Sequence, residues 1–208
     1  MRAALFVCLV SADLLAAPAS FAQPPERQEL RPPSAFAGTT DAAARSRALF
    51  TEAAKVITHP RCMNCHPAGD RPLQGNDQRL HQPLAVRGEG GHGVAGNQCS
   101  ACHTEKNFEH RAGLGISFQS IPGHPRWELA PIEMAWEGKS IGDICRQLID
   151  RDRNGGRDLA LLHEHMAKDD LVAWGWNPGA GREPAPGTQE RLGELIKAWI
   201  DTGAQCPQ

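Results

Sequence analysis

Two short stretches of the chain share one pattern: Cys62-Met63-Asn64-Cys65-His66 and Cys99-Ser100-Ala101-Cys102-His103. Each sets two thiols three positions apart and puts a histidine directly after the second. On one helical turn, residues i and i+3 face the same side. Both thiols can therefore bond the two vinyl groups of one porphyrin, with the histidine beneath the iron as proximal ligand. CxxCH is the attachment signal of c-type haem. Paired cysteines serve two other chemistries. A redox dithiol sits beside a strand–helix–strand pattern, which this sequence lacks. A four-cysteine zinc site would have to bridge from Cys65 to Cys99, wider than in a small zinc ribbon, and would leave both histidines without a role. The expected cofactors are two haem c groups, bound covalently through Cys62, Cys65, Cys99 and Cys102, with His66 and His103 as proximal iron ligands.

The sixth ligand of each iron must come from elsewhere. The candidates are His59, His81, His92, His110, His124, His163, His165, Met134 and Met166. His92 lies in the flexible stretch "GGHG", and it, His110 and His124 read as solvated side chains. The order of preference among the rest is His81, His165, Met134, His59. His81 falls between the motifs, in a loop that must cross a haem face. His165 shares a helix face with Leu161, Leu162 and Met166. Met134 follows Pro131 in a non-helical stretch downstream of the second motif, although a methionine in an apolar segment also serves as core packing. His59 precedes Cys62 by three residues and could reach the neighbouring haem.

The N-terminus bears on how the cysteines are used. Arg2 is followed by an apolar, small-residue run ending in Ser20-Phe21-Ala22, a secretory signal with its cut after Ala22. Asp13 and Pro18 interrupt the run, which falls short of the roughly 20 apolar residues of a membrane span. The expectation is a periplasmic protein with no transmembrane segment in the mature chain. Of the 7 cysteines, Cys8 leaves with the signal, and four carry the motifs. Cys145 and Cys206, on elements expected to pack together in an oxidising compartment, are predicted to form a disulfide. Two separately buried thiols are the alternative. The formal net charge of −2 and the lack of a basic block exclude nucleic acid as a partner. With no Tyr, 6 Phe and 5 Trp in 208 residues, the aromatic core is thin, and two porphyrins would help to fill it.

The elements that position the motifs can be read in chain order. Residues 23–40 are Pro-rich and predicted to be a disordered leader; residues 41–208 form one domain. A helix capped by Asp41 carries Leu49, Phe50, Ala53, Val56 and Ile57 at helical spacing and ends at Pro60, delivering the chain into the first motif. From Pro67 to Gln98 glycine and proline dominate, so this is predicted to be irregular chain, and a second long loop covers 104–138. Ser140 and Asp143 form a capping box for a helix with Ile141, Ile144, Cys145 and Leu148 on one side, ended by Asn154-Gly155-Gly156. Asp158 opens another helix. Thr188 caps the last, where Leu192, Leu195, Ile196, Trp199 and Ile200 face the core and Gly203 ends it. The predicted fold class is all-α, cytochrome c-like helices with long irregular loops wrapped around two covalently bound haems.

The stretches "HPRCMNCHPAGDRPLQG", "CSACHTEKNF", "MAWEGKSIGDICRQLIDRDRNGG" and "LVAWGWNPG" resemble exported bacterial dihaem c-type cytochromes, in particular the group labelled isoquinoline 1-oxidoreductase subunit. The resemblance covers the whole mature chain. It implies an electron carrier that accepts electrons from a periplasmic molybdenum hydroxylase oxidising aldehydes or N-heterocycles, and passes them to a respiratory chain component. The chain has no molybdopterin or iron–sulfur signature, so hydroxylase chemistry would belong to the partner, and this protein is expected not to be an enzyme. Two other readings use the same motifs. A dihaem peroxidase needs an open distal face with an acid–base residue beside it, for which Glu109 and Glu133 are available. A haem-based gas sensor needs the same open face and a signalling segment, which is absent from the sequence.

Overall fold

Helix α1 (Ala42–Ile57) begins where Asp41 Oδ1 accepts the backbone N–H of Ala44 at 2.6 Å, satisfying one of the donors that a helix N-terminus leaves open. The computed structural model of the chain describes residues 28–103, 109–112, 116–119, 127–179 and 182–208. The expected signal peptide, the start of the leader and His124 lie outside them. Helix α2 (Pro60–Met63) follows at once, with Pro60 at its first position, where a missing N–H costs nothing. Helices α3 (Ile141–Ile149), α4 (Leu159–Lys168) and α6 (Gln189–Asp201) are capped by the side chains of Ser140, Asp158 and Thr188. A short α5 (Asp170–Ala173) runs into a 3₁₀ turn at Trp174–Trp176. The protein is mainly α-helical. No helix among the described residues is long and apolar enough to cross a membrane.

Helix α6 is the hub, packed against α1 on one side and α4 on the other. Its residues Leu192, Leu195, Ile196 and Trp199 are buried, each contributing about 1.5–3 kcal/mol by leaving water. The Trp199 ring meets Phe50 of α1 with centroids 5.0 Å apart. Ser46 Oγ donates to the Trp199 carbonyl and accepts from Gln205 N–H, so the C-terminal tail folds back over α1. Cys145 of α3 is disulfide-bonded to Cys206 in that tail.

Two differences from the sequence expectations have plain causes. Residues from 28 onward in the Pro-rich leader are ordered against the core rather than disordered: Leu30 and Phe36 are buried, and a 3₁₀ turn spans Pro33–Phe36. The anchor is Glu52, 1% exposed, which accepts from the backbone N–H and the Nε of Arg31 and from Lys55. Burial pushes its carboxyl pKa up, but these donors outweigh it and the net shift is down. Such a carboxylate needs partners, and the leader supplies one. The long loops are also not wholly irregular. They hold three antiparallel hairpins: β1 (Leu73–Gln74) with β2 (Arg79–Leu80), β3 (Gly93–Val94) with β4 (Asn97–Gln98), and β5 (Glu109–Ala112) with β6 (Ile116–Gln119).

Candidate functional site

The first motif starts on α2, where His59 Nδ1 accepts the N–H of Arg61 at 3.3 Å. The turn continues through it: Cys65 N–H donates to the Cys62 carbonyl and His66 N–H to that of Met63. Cys62, Cys65 and His66 therefore line one cavity of about 140 Å³, partly open to solvent. Its walls are largely apolar, from Val56 and Ile57 of α1, Leu162 of α4, Leu171 and Val172 of α5, and Leu192 of α6.

The His66 imidazole is held in one state. Its Nδ1–H donates to the backbone carbonyl of Met134 at 2.7 Å, which leaves the Nε2 lone pair for a metal. The ring stacks on Trp136, centroids 3.5 Å apart and planes 8° from parallel. Burial pushes its pKa down to about 3 against the raising effect of the Met134 bond, and the charges of His165 and Arg87 add to the drop. The thiols are also kept neutral. Burial, with the neighbouring Cys65, pushes Cys62 up to about 12; burial pushes Cys65 up to about 11, opposed by Arg61 and aided by Cys99. Among the described residues no group of three or more His, Cys, Asp or Glu is placed to hold a metal ion.

Across this cavity, α4 contributes His165 and Met166. His165 Nδ1 is 3.0 Å from Asp169 Oδ2, which fixes the ring and leaves Nε2 as its uncommitted nitrogen. That bond to His165, opposed by burial and helped by the N–H groups of Leu171 and Val172, holds the Asp169 carboxyl at about 2. Met134 also lines this cavity, and its backbone carbonyl is the one that accepts from His66 Nδ1. His59 spends its Nδ1 as a helix cap and does not line the cavity.

The second motif forms a 3₁₀ turn at Cys99–Ala101, with His103 N–H donating to the Cys99 carbonyl at 2.9 Å. His103 is 8% exposed and stacks on Trp127 with centroids 4.6 Å apart and planes 11° from parallel. Burial above all, with His81 and Arg182 nearby, pushes its pKa down to about 4. The His81 ring lies opposite, its centroid 6.1 Å from that of His103. That separation would let both imidazoles hold one metal ion, since a metal–nitrogen bond is about 2 Å. His81 Nδ1 is 2.8 Å from the Pro83 carbonyl, so its Nε2 is also the uncommitted nitrogen. Cys62, Cys65 and Cys99 are half-buried, whereas Cys102 is exposed.

Residues 127–136 tie the two motifs together. Trp127 stacks on His103, Leu129 N–H donates to the Gly91 carbonyl, Ala130 N–H to that of Cys65, and Trp136 N–H to that of His66. Arg87, buried, donates to the carbonyls of Ala130 and Gly69. Gly91 has φ +83°, and a Cβ there would lie 2.4 Å from the Leu129 carbonyl oxygen; only glycine permits this approach. Trp127 meets Trp174 edge-on at 5.5 Å, and Trp174 lines the first cavity. Sequence reading did not single out Trp127, Trp136, Arg61, Arg87, Trp174 or Asp169. A signal was present in the tryptophans, unusually many for a chain without tyrosine. No family model, curated protein or solved structure matches this chain.

Proposed function

We propose that this protein is a periplasmic dihaem c-type cytochrome that carries electrons between redox partners. The observation that carries the proposal is that each CxxCH histidine is accompanied by a second imidazole: the buried His103 by His81, and the half-buried His66 by His165, which lines the same cavity. A bound haem c supplies a one-electron iron couple. The chain's own residues do the rest. Cys62 and Cys65 hold the first group and Cys99 and Cys102 the second. His66 and His103 are the proximal ligands, and His165 and His81 the distal ones. The Met134 carbonyl and Asp169 keep the first pair of rings in the tautomer that offers Nε2. Two imidazoles available to hold each group would suit one-electron transfer. This favours the carrier over the peroxidase and sensor readings. The disulfide between Cys145 and Cys206 suits an oxidising compartment, in line with export and cleavage near Ala22. The donor in this reading is a molybdenum hydroxylase and the acceptor a respiratory chain component, as the sequence resemblance implies.

The test is the mass and spectrum of the exported protein. Expected are the chain from Gln23 plus two haems, low-spin spectra in both oxidation states, and no change on adding carbon monoxide. One haem or none would refute the proposal. A high-spin haem that turns over peroxide would replace it with the peroxidase.

A further inference from the structure

Four imidazoles accompany the two motifs, and three of them are oriented by a hydrogen bond at Nδ1. His66 is held by the Met134 carbonyl, His81 by the Pro83 carbonyl and His165 by Asp169. His103 is the exception. It is buried, and its Nδ1 has no hydrogen-bond partner among the described residues. The second ring nitrogen of a ligating histidine almost always makes such a bond, and the bond fixes the orientation of the ring. Another contact must do this at His103. The indole of Trp127 lies against the ring, with planes 11° from parallel. Trp127 is itself a firm platform: it is buried, it meets the Trp174 ring edge-on at 88°, and two residues on Leu129 N–H is bonded to the Gly91 carbonyl. Turning the imidazole out of its plane would drive an edge into the indole, which close packing resists.

The plane so fixed lies at 56° to that of His81, nearer to crossed than to parallel. The distinction is electronic. Parallel imidazoles donate into the same iron d orbital and split it from its partner, whereas crossed imidazoles share their donation between two d orbitals and keep them close in energy. We propose that Trp127 is the positioning residue of the second site, holding the His103 imidazole crossed against His81 and so setting the electronic type of the iron bound there. The inference rests on the cytochrome reading above. His66 also stacks on a tryptophan, Trp136, but it keeps its bond to the Met134 carbonyl, so its plane does not depend on the indole alone.

The experiment is electron paramagnetic resonance of the fully oxidised holoprotein, with the haem content of each variant fixed by mass. Wild type is expected to show a highly anisotropic low-spin signal, the mark of crossed imidazoles, which His81→Ala abolishes. In Trp127→Leu most of that signal should pass to a rhombic low-spin one as the freed ring turns. Trp127→Phe, which retains a flat face, should keep the wild-type signal, and Trp136→Leu should leave it unchanged. If Trp127→Leu does not accumulate, Trp127→Met, closer in volume to the native side chain but without a flat face, takes its place. An unchanged signal in the variant without the flat face would overturn the proposal. So would an equal loss in Trp136→Leu, which would mean a general loosening, or a wild type with only rhombic or high-spin signals. Wild-type protein without haem would instead sink the cytochrome reading itself.

Discussion

Replacing Cys145 and Cys206 together by alanine should destabilise the holoprotein by about 4 kcal/mol. The two cysteines are 61 positions apart. In the chain-entropy model, opening a loop of that length returns about 14 cal/mol/K to the unfolded chain, or about 4 kcal/mol at 25 °C. The double variant adds little cavity cost, because only one sulfur at the fully buried Cys145 is lost. Nor does the tail come loose entirely. Trp199 Nε1–H still donates to the Gln205 carbonyl and Gln205 N–H to Ser46 Oγ. Four kcal/mol is a large part of the 5–15 kcal/mol typical of a domain, and at about 2–4 °C per kcal/mol the melting temperature should fall by roughly 8–16 °C. The assay is urea unfolding of wild type and variant, followed by tryptophan fluorescence, with the slopes required to agree. A loss below about 1 kcal/mol at equal slopes would refute the reasoning. So would alkylation of both cysteines in unreduced, unfolded wild type.

The other predictions follow from single contacts. His81→Ala and His165→Ala should each turn one of two low-spin haems into a high-spin, carbon monoxide-binding one, whereas Met134→Leu should leave spectra and potentials in place; loss of a sulfur-to-iron band in Met134→Leu would reverse that assignment. Gly193→Ala should cost up to about 2 kcal/mol in urea unfolding. Its Cβ would meet the Ala167 Cβ at 2.6 Å and force α4 off α6, about 1–3 kcal/mol of overpacking against about 1 kcal/mol of regained helix propensity; a stabilised variant would contradict the packing. Hydrogen bonds from Ser140 and Arg146 hold the exposed Asp143 carboxyl at about 2, below its ordinary 3.8. The folded value is the lower one, so the contribution of this group is present above about pH 3.8 and lost as the pH falls through 2. A carboxyl NMR titration should show that value in wild type and a higher one in Ser140→Ala; equal values would refute the cap.

What the sequence determined by itself is local. The CxxCH spacing places two thiols and an imidazole within little more than one turn wherever the chain goes. Asp41, Ser140, Asp158 and Thr188 mark their helices because a cap joins a side chain to a backbone N–H two or three residues on. The apolar spacing of α6 likewise reads directly as a buried stripe. The tertiary structure decided the pairings between distant residues. Met134 is 68 positions from His66 and accepts its Nδ1–H through a backbone carbonyl, a group every residue carries and no sequence pattern marks. Sequence position already put His81 and His165 first among the histidines, but which motif each faces was decided only when loop and helix brought His81 to His103 and His165 to the His66 cavity. The Pro-rich leader seemed disordered because its own composition offers no core, yet Arg31 is held by Glu52, 21 positions away. Hydrogen bonds and ring contacts reach only a few ångströms, so they are decided by whichever backbones the packed core brings side by side.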